Sequence, residues 1–431
     1  MSAALLARVK EEYGAVRGTL PPSVIGHARR QAAIETLCAH GLPATREENW
    51  RYTNLRVLER ARFAPTAASA TVVPQLPAPL AGFARYVFID GVLCTAPQAQ
   101  DAGISVRSLR SGAPAAALES AAMSTLPEAR LALLNEAFAT DAAAIRARPH
   151  SAAPQIELIF IASAAAQAGA SYPRVQLTLE PGARLALVER HLSIGEAANL
   201  VNGAVNVELA EGARLHHCRL QQTGARTAWF DTLQATLAKD AFYHLLTVST
   251  GSLAARSTAH IRLTGPGAEV ALLSAALGDR LQSQDTYVLS EHLAPHTRTE
   301  QTFRGIASGR ARVACNGKIV VRDGARGTDS RQSLRGLLAG PEAEIDLRPQ
   351  LEIFTDEVRC SHGATAGKLD ENMLFYLLSR GLAPEVAQRL LKWAFLEDVV
   401  SKIELPQLRR RIEHEIAGQM SEGASLKELL E

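Results

Sequence analysis

Hydrophobic and polar positions follow two different periods along this chain, and the change of period divides it. Val24 to His40 is rich in Ala, Leu and Arg and predicts a helix, with Gly41 and Pro43 as its stop. Residues 61–82 carry Pro65, Pro74, Pro77 and Pro79 and predict a linker or covering segment. Arg85 to Cys94 predicts a hairpin: Tyr86-Val87-Phe88-Ile89, an Asp90-Gly91 turn, then Val92-Leu93-Cys94. Leu118 to Ile145 is helical in pattern, broken near Pro127, with Leu131, Leu134 and Phe138 on one face. Residues 1–150 thus read as a mostly helical region with a linker and a small hairpin.

From about residue 155 alternation replaces the helical spacing, as in Val175, Leu177, Leu179 and in Val205, Val207, Leu209. A turn phrase recurs between these strands: Glu180-Pro181-Gly182-Ala183, Glu211-Gly212-Ala213, Lys239-Asp240-Ala241, Gly265-Pro266-Gly267-Ala268. The four alanines are 30, 28 and 27 residues apart. A strand–turn–strand unit cannot bury its inner face alone, so repetition at this period predicts a stack of coils over residues 151–366, a β-helix. A β-sandwich is the competing reading, but its turns come every 8–12 residues, as a rough rule, without a longer repeat.

After residue 366 the helical period returns, and residues 367–431 read as a helical domain. Asp370 is placed to cap a helix from Glu371 to Arg380 that Gly381 ends, and Pro384 to start a second that runs to about Ile403. That second helix is apolar on two sides: Val386, Leu390, Trp393 and Val400 on one, Leu391, Phe395, Val399 and Ile403 on the other. It needs two partners, and either another protein or a three-helix core supplies the second. A last helix runs from Pro406 to about Gln419.

Charge narrows the function. With 46 basic and 44 acidic residues the net charge is +2, which argues against a general nucleic-acid binder. No apolar run is long enough to cross a membrane, and the N-terminus lacks the basic start of a signal peptide. Five scattered cysteines without a C-x-x-C fit a reduced, cytoplasmic protein.

Candidate chemistry centres on Cys360 and His362. Two residues apart on a predicted strand, they share a face and offer a thiol and an imidazole suited to iron, zinc or a cluster. Two donors do not close a site that needs four, so the pair is half of a site or a buried thiol beside a hydrogen-bonded histidine. Gly363 to Leu369 imitates a phosphate loop but has its glycines one residue too close and Leu369 where Ser or Thr would meet magnesium, so no nucleotide site is expected. His216-His217-Cys218 puts His216 and Cys218 on one face with His217 opposed. Neither a G-x-S-x-G nor an H-E-x-x-H occurs.

The run Pro349-Gln350-Leu351-Glu352-Ile353, then Val358 to Thr365 and Gly367-Lys368-Leu369-Asp370, resembles the C-terminal signature of the SufB/SufD family of iron–sulfur cluster assembly scaffolds. Leu374-Phe375-Tyr376-Leu377 and Ser379-Arg380-Gly381 extend the likeness, as do Phe303-Arg304-Gly305-Ile306, Gly317-Lys318-Ile319-Val320-Val321 and Gln332 upstream. Within the family, Glu48-Asn49-Trp50-Arg51-Tyr52-Thr53 and the absence of an N-terminal cysteine cluster set the chain apart from the SufB branch.

The resemblance implies a right-handed parallel β-helix between helical regions, and a non-catalytic subunit that binds no nucleotide itself. It implies a complex with a SufB-like paralogue and a SufC-like ABC ATPase, served indirectly by a cysteine desulfurase system. His362 and, less directly, Cys360 would face the paralogue and share a transient iron–sulfur cluster or iron with it. The ATPase would dock on the C-terminal helices, through Phe375, Tyr376, Arg380, Val386, Leu390, Trp393 and Phe395. The rival reading is a carbohydrate-acting β-helix enzyme, which would need paired acids such as Asp279, Asp285 and Glu291 on adjacent coils.

Overall fold

The computed structural model describes residues 3–67, 76–98, 103–110, 126–150, 153–163, 168–195 and 197–420. Its centre is a parallel β-solenoid whose strands alternate between two sheets. In spatial order the first sheet is β2 (Val92–Thr95), β1 (Ala84–Ile89), β5 (Gln155–Ala162), β8 (Arg184–Ser193), β10 (Arg214–Gln222), β12 (Phe242–Ser249), β14 (Glu269–Gly278), β16 (Arg298–Ala307), β18 (Thr328–Leu338) and β20 (Val358–Lys368). The second, from the opposite end, is β19 (Glu344–Ile353), β17 (Arg312–Val321), β15 (Ser283–His292), β13 (Ala254–Leu263), β11 (Ala228–Leu237), β9 (Leu200–Leu209), β7 (Arg174–Leu179), β4 (Ala143–Ala147) and β3 (Ile104–Ser108), with the short β6 (Ala170–Ser171) beside β9.

The recurring alanine explains the coil. Ala183, Ala213, Ala241 and Ala268 are fully buried at one corner, stacked turn over turn. The ladder runs through that corner without a break: Arg214 N–H donates to the Ala183 carbonyl, Phe242 to Ala213, Glu269 to Ala241 and Arg298 to Ala268. Strands along the axis lie about 4.8 Å apart, so a corner side chain that points inward has room for little more than a methyl group. Left-handed backbone is needed just before it, which Gly182, Gly212 and Gly267 supply, while Asp240 takes the same conformation at φ 53°.

The upstream hairpin is present as expected, with Asp90 and Gly91 both at positive φ. It does not stand apart, since β1 pairs in parallel with β5 and begins the first sheet. One expectation fails. Ala143 to Ala147 is a strand, paired with β3 and β7, where the pattern predicts helix. Only Ala132–Phe138 (α3) and a short 3₁₀ turn at Pro127–Ala129 are helical there, and the start of that predicted helix lies outside the described residues. Helices α1 (Ala3–Val16) and α2 (His27–His40) pack with α3 over the second sheet's outer surface. Trp50 and Thr53 hold the segment after them: the Arg256 guanidinium lies 3.9 Å from the Trp50 ring and reaches Asp285 at 2.5 Å and Thr53 Oγ1 at 3.0 Å. At the other end come α4 (Glu371–Ser379), α5 (Pro384–Val400) and α6 (Pro406–Met420).

The lumen is apolar along one half and polar along the other. Leu187, Leu215, Tyr243, Val270, Leu233 and Ile261 belong to the main core. Beside them sits an enclosed charge cluster. Arg219 donates Nη1–H to Asp231 at 2.6 Å and Nη2–H to Glu189 at 2.7 Å, and His191 and His217 contact Glu189 at 2.6 and 3.1 Å. Burial alone would raise the Glu189 carboxyl; the Arg219 ion pair and the two histidine contacts override it and hold the group well below the usual carboxylate range. Gly203 is required next to it, because a Cβ there would lie 2.2 Å from Asp231 Oδ1.

Two outcomes are expected. Arg219→Met strands two buried carboxylates and should cost about 3–5 kcal/mol in urea denaturation, well beyond a surface arginine control. In the isolated chain, hydrogen exchange should be slow for β20 amides that face β18 and fast for the alternate ones, since no strand among the described residues covers the far edge of β20.

Candidate functional site

Register places the predicted donor pair. Cys360 lies beside Ser330 and His362 beside Gln332 in the β18–β20 ladder. Ser330, Gln332 and Leu334 are the buried, inward-facing positions of β18, and Leu334 packs with Phe303, Val313 and Cys315 inside the solenoid. Cys360 and His362 therefore take the lumen-facing positions of the last coil. Among the described residues no further coil covers them. Cys360 is half-buried against Ile319, Val321 and Ala325, and His362 is exposed. Across the opening, β19 has Ile345, Leu347 and Leu351 only half-buried. The last coil thus ends in two strand edges with an unfinished apolar interior between them, and the two donors sit in its mouth.

The donor set fits half of a metal or cluster site. Among the described residues no group of three or more His, Cys, Asp or Glu side chains is arranged to hold a metal ion. A thiol and an imidazole about 6.6 Å apart along the strand can each give one bond to an incoming ion, but four bonds close a typical zinc or iron–sulfur site.

The other sequence candidates are otherwise engaged. His216 and Cys218 share the outward face of β10 and His217 points into the lumen, as the strand period predicts. Cys218 is sealed beneath α6, and burial pushes its thiol up. Burial likewise raises Cys315. His216 lies 3.6 Å from Glu404 in the turn before α6, and burial holds the adjacent His244 down to about 4. His292 is enclosed between Thr297 and Thr299. The acids of the rival enzyme reading do not converge. Asp285 is buried on Arg256, and Glu291 pairs with His260 and Arg322. Those two stand six residues apart on one strand, about 20 Å, against the roughly 5–10 Å that paired carboxylates of a glycosidase span.

The helices after the site divide into a covered and an open part. Asp370 caps α4 by accepting from Asn372 and Met373 N–H, and Gly381 follows at φ 91°. Phe375 is 72% exposed and Tyr376 55%, with Arg380 exposed beside them. Val386, Leu390 and Phe395 on α5 are half-buried. Trp393 corrects the expectation for α5: it is buried against the first sheet's outer surface with Leu396, Val399 and Val400, so it fixes the helix to the solenoid and offers no surface to a partner. Arg304 with Asp398, and Lys402 with Glu300 at 3.1 Å, add polar ties there.

One feature beneath the donors is invisible to pattern reading. Gln301, Gln332 and His362 occupy the same lumen position on three successive strands, and Gln332 Nε2 donates to Gln301 Oε1 at 2.9 Å. Gly317 makes the room, since a Cβ there would lie 2.6 Å from Gln301 Oε1 and 2.9 Å from Gln332 Nε2. The residues are 31 and 30 positions apart, so only the coil period connects them.

Comparison with known proteins agrees with the family that the C-terminal signature resembles. Residues 160–395 match the family described as SUF system FeS cluster assembly, SufBD core domain. The chain is 28% identical to the iron–sulfur cluster assembly protein SufD of Escherichia coli (strain K12), over 91% of this chain and 93% of that protein. A SufBD family protein of Synechocystis sp. is 26% identical over 93% and 92%. One from Mycobacterium leprae is 34% identical over 42% of this chain and 50% of its own length. The matched core takes in the solenoid from the end of β5 through β20 and reaches α5, and with full-length likeness to a SufD the chain belongs to the SufBD family of iron–sulfur cluster assembly proteins, on its SufD-like side.

Proposed function

We propose that this chain is a non-catalytic scaffold subunit that builds a cluster jointly with a SufB-like paralogue at the open end of its solenoid. The observation that carries this reading is the unfinished last coil with Cys360 and His362 in its mouth. A second solenoid laid edge to edge on β19 and β20 would pair their free backbone groups, cover the half-buried Leu347 and Leu351, and bring further donors to the pair. The nascent cluster is cargo here. His362 binds iron through a neutral ring nitrogen or carries a proton, and Cys360 binds through its thiolate.

The exposed surface of Phe375, Tyr376 and Arg380, continued by Val386, Leu390 and Phe395, suits a SufC-like ABC ATPase. Aromatic residues beside an arginine are the side chains that most often anchor protein interfaces. ATP hydrolysis on that partner would then act on the chain immediately after the donor strand. Sulfur would reach the assembled complex indirectly, from a cysteine desulfurase system.

His362→Ala is expected to leave folding and complex formation intact and to lower cluster yield in cells that depend on this pathway; unchanged iron and sulfide content of the purified complex would remove His362 from the mechanism. Phe375→Asp with Tyr376→Asp should abolish co-purification of the ATPase and leave the paralogue bound. Retention of the ATPase by that double variant would place its docking surface elsewhere.

A further inference from the structure

The amide ladder inside the last coils stops one residue short of a donor. Gln332 gives its Nε2–H to Gln301, which turns its carbonyl toward the next coil, as in any stacked amide ladder. Gln332 Oε1 is buried and has no hydrogen-bond partner among the described residues. The next position of the same column is His362, exposed and on the same face. Leaving a buried carbonyl without a partner costs at least as much as fixing one exposed ring.

We propose that Gln332 is the positioning residue of His362: its Oε1 accepts one ring N–H of the imidazole, and so fixes which ring nitrogen presents its lone pair at the open end. The inference rests on the cluster-site reading for its purpose and on the ladder for its geometry. Histidines that bind metals commonly donate their other ring N–H to such an acceptor, which selects the tautomer and makes the binding nitrogen more basic. Gln301 acts at one remove by fixing the direction of the Gln332 amide, and Gly317 by leaving space for both. A reversed amide would offer His362 an N–H and occupy the lone pair that an ion needs, so the Gln301 contact sets the sense of the whole column.

The test is ¹⁵N-detected NMR of the full chain labelled at histidine, at mildly alkaline pH, with the His362 signals assigned by their loss in His362→Ala. The expected result is one predominant tautomer with a ring N–H that exchanges slowly with solvent. Gln332→Met, close in volume but without the amide, should return the ring to a fast-exchanging mixture with the fold retained, and Gln332→Glu, which retains an acceptor, should restore the single tautomer. A fast-exchanging mixture in the unaltered protein would overturn the proposal whether or not either variant folds. So would a wild-type spectrum in Gln332→Met. The cluster yield of the complex should fall several-fold in Gln332→Met and recover in Gln332→Glu. If His362→Ala leaves that yield normal while the NMR result stands, the functional reading fails and the hydrogen bond does not.

Discussion

Hydrogen bonding along the solenoid axis is the constraint from which the rest follows. Each strand satisfies its backbone groups on the coil before and the coil after, so every internal coil is complete and only the first and last have groups left over. At the start, β2 and β3 turn antiparallel and close the two sheets with hairpin-like pairings. At the other end no such closure exists among the described residues. Both β19 and β20 finish the sheets with an open edge, and the coil they form carries the thiol and imidazole. An open edge is a hazard for a monomer and a template for a partner, and here it coincides with half of a donor set.

The same stacking lets polar groups survive inside. The Glu189–Arg219–Asp231 cluster is almost wholly sealed, yet nearly every charged atom has a partner, and Gly203 gives up its side chain to make space. Buried ion groups of this kind add little net stability over apolar packing; what they add is register, because a strand displaced by one residue would strand a charge. Further along, the glutamine column plays the same part with neutral groups. The lumen is thus polar along a stripe that ends at His362.

The coil period was legible in the sequence because its cause is local: a corner that admits only a small side chain, alanine in four successive coils and threonine at Thr297 and Thr328 in the next two, recurs where the chain turns. The donor pair was legible for a similar reason, since two residues on a strand share a face whatever surrounds them. The Ala143–Ala147 strand was not. Its alanines have the best helix propensity there is, and pairing with β3 and β7 overrode it. Trp393 misled for another reason: periodicity finds apolar positions on α5, but the face that the solenoid covers draws Trp393 and Val400 from one predicted side and Val399 and Ile403 from the other. The relation among Gln301, Gln332 and Gly317 escaped because it exists only across coils, where a one-residue error in register would send each side chain to the other face.

The distance between the donor strand and the exposed aromatic helix has a mechanical meaning. β20 ends at Lys368 and α4 begins at Glu371, so Leu369 and Asp370 alone join them. Two residues give a reach of about 7 Å at full extension, and Asp370 is already committed to the helix cap. That leaves almost no slack in the joint. A load applied to α4 cannot be absorbed by the connection; it has to bend the helix cap or pull on the outermost strand, which pairs with a neighbour on one side only.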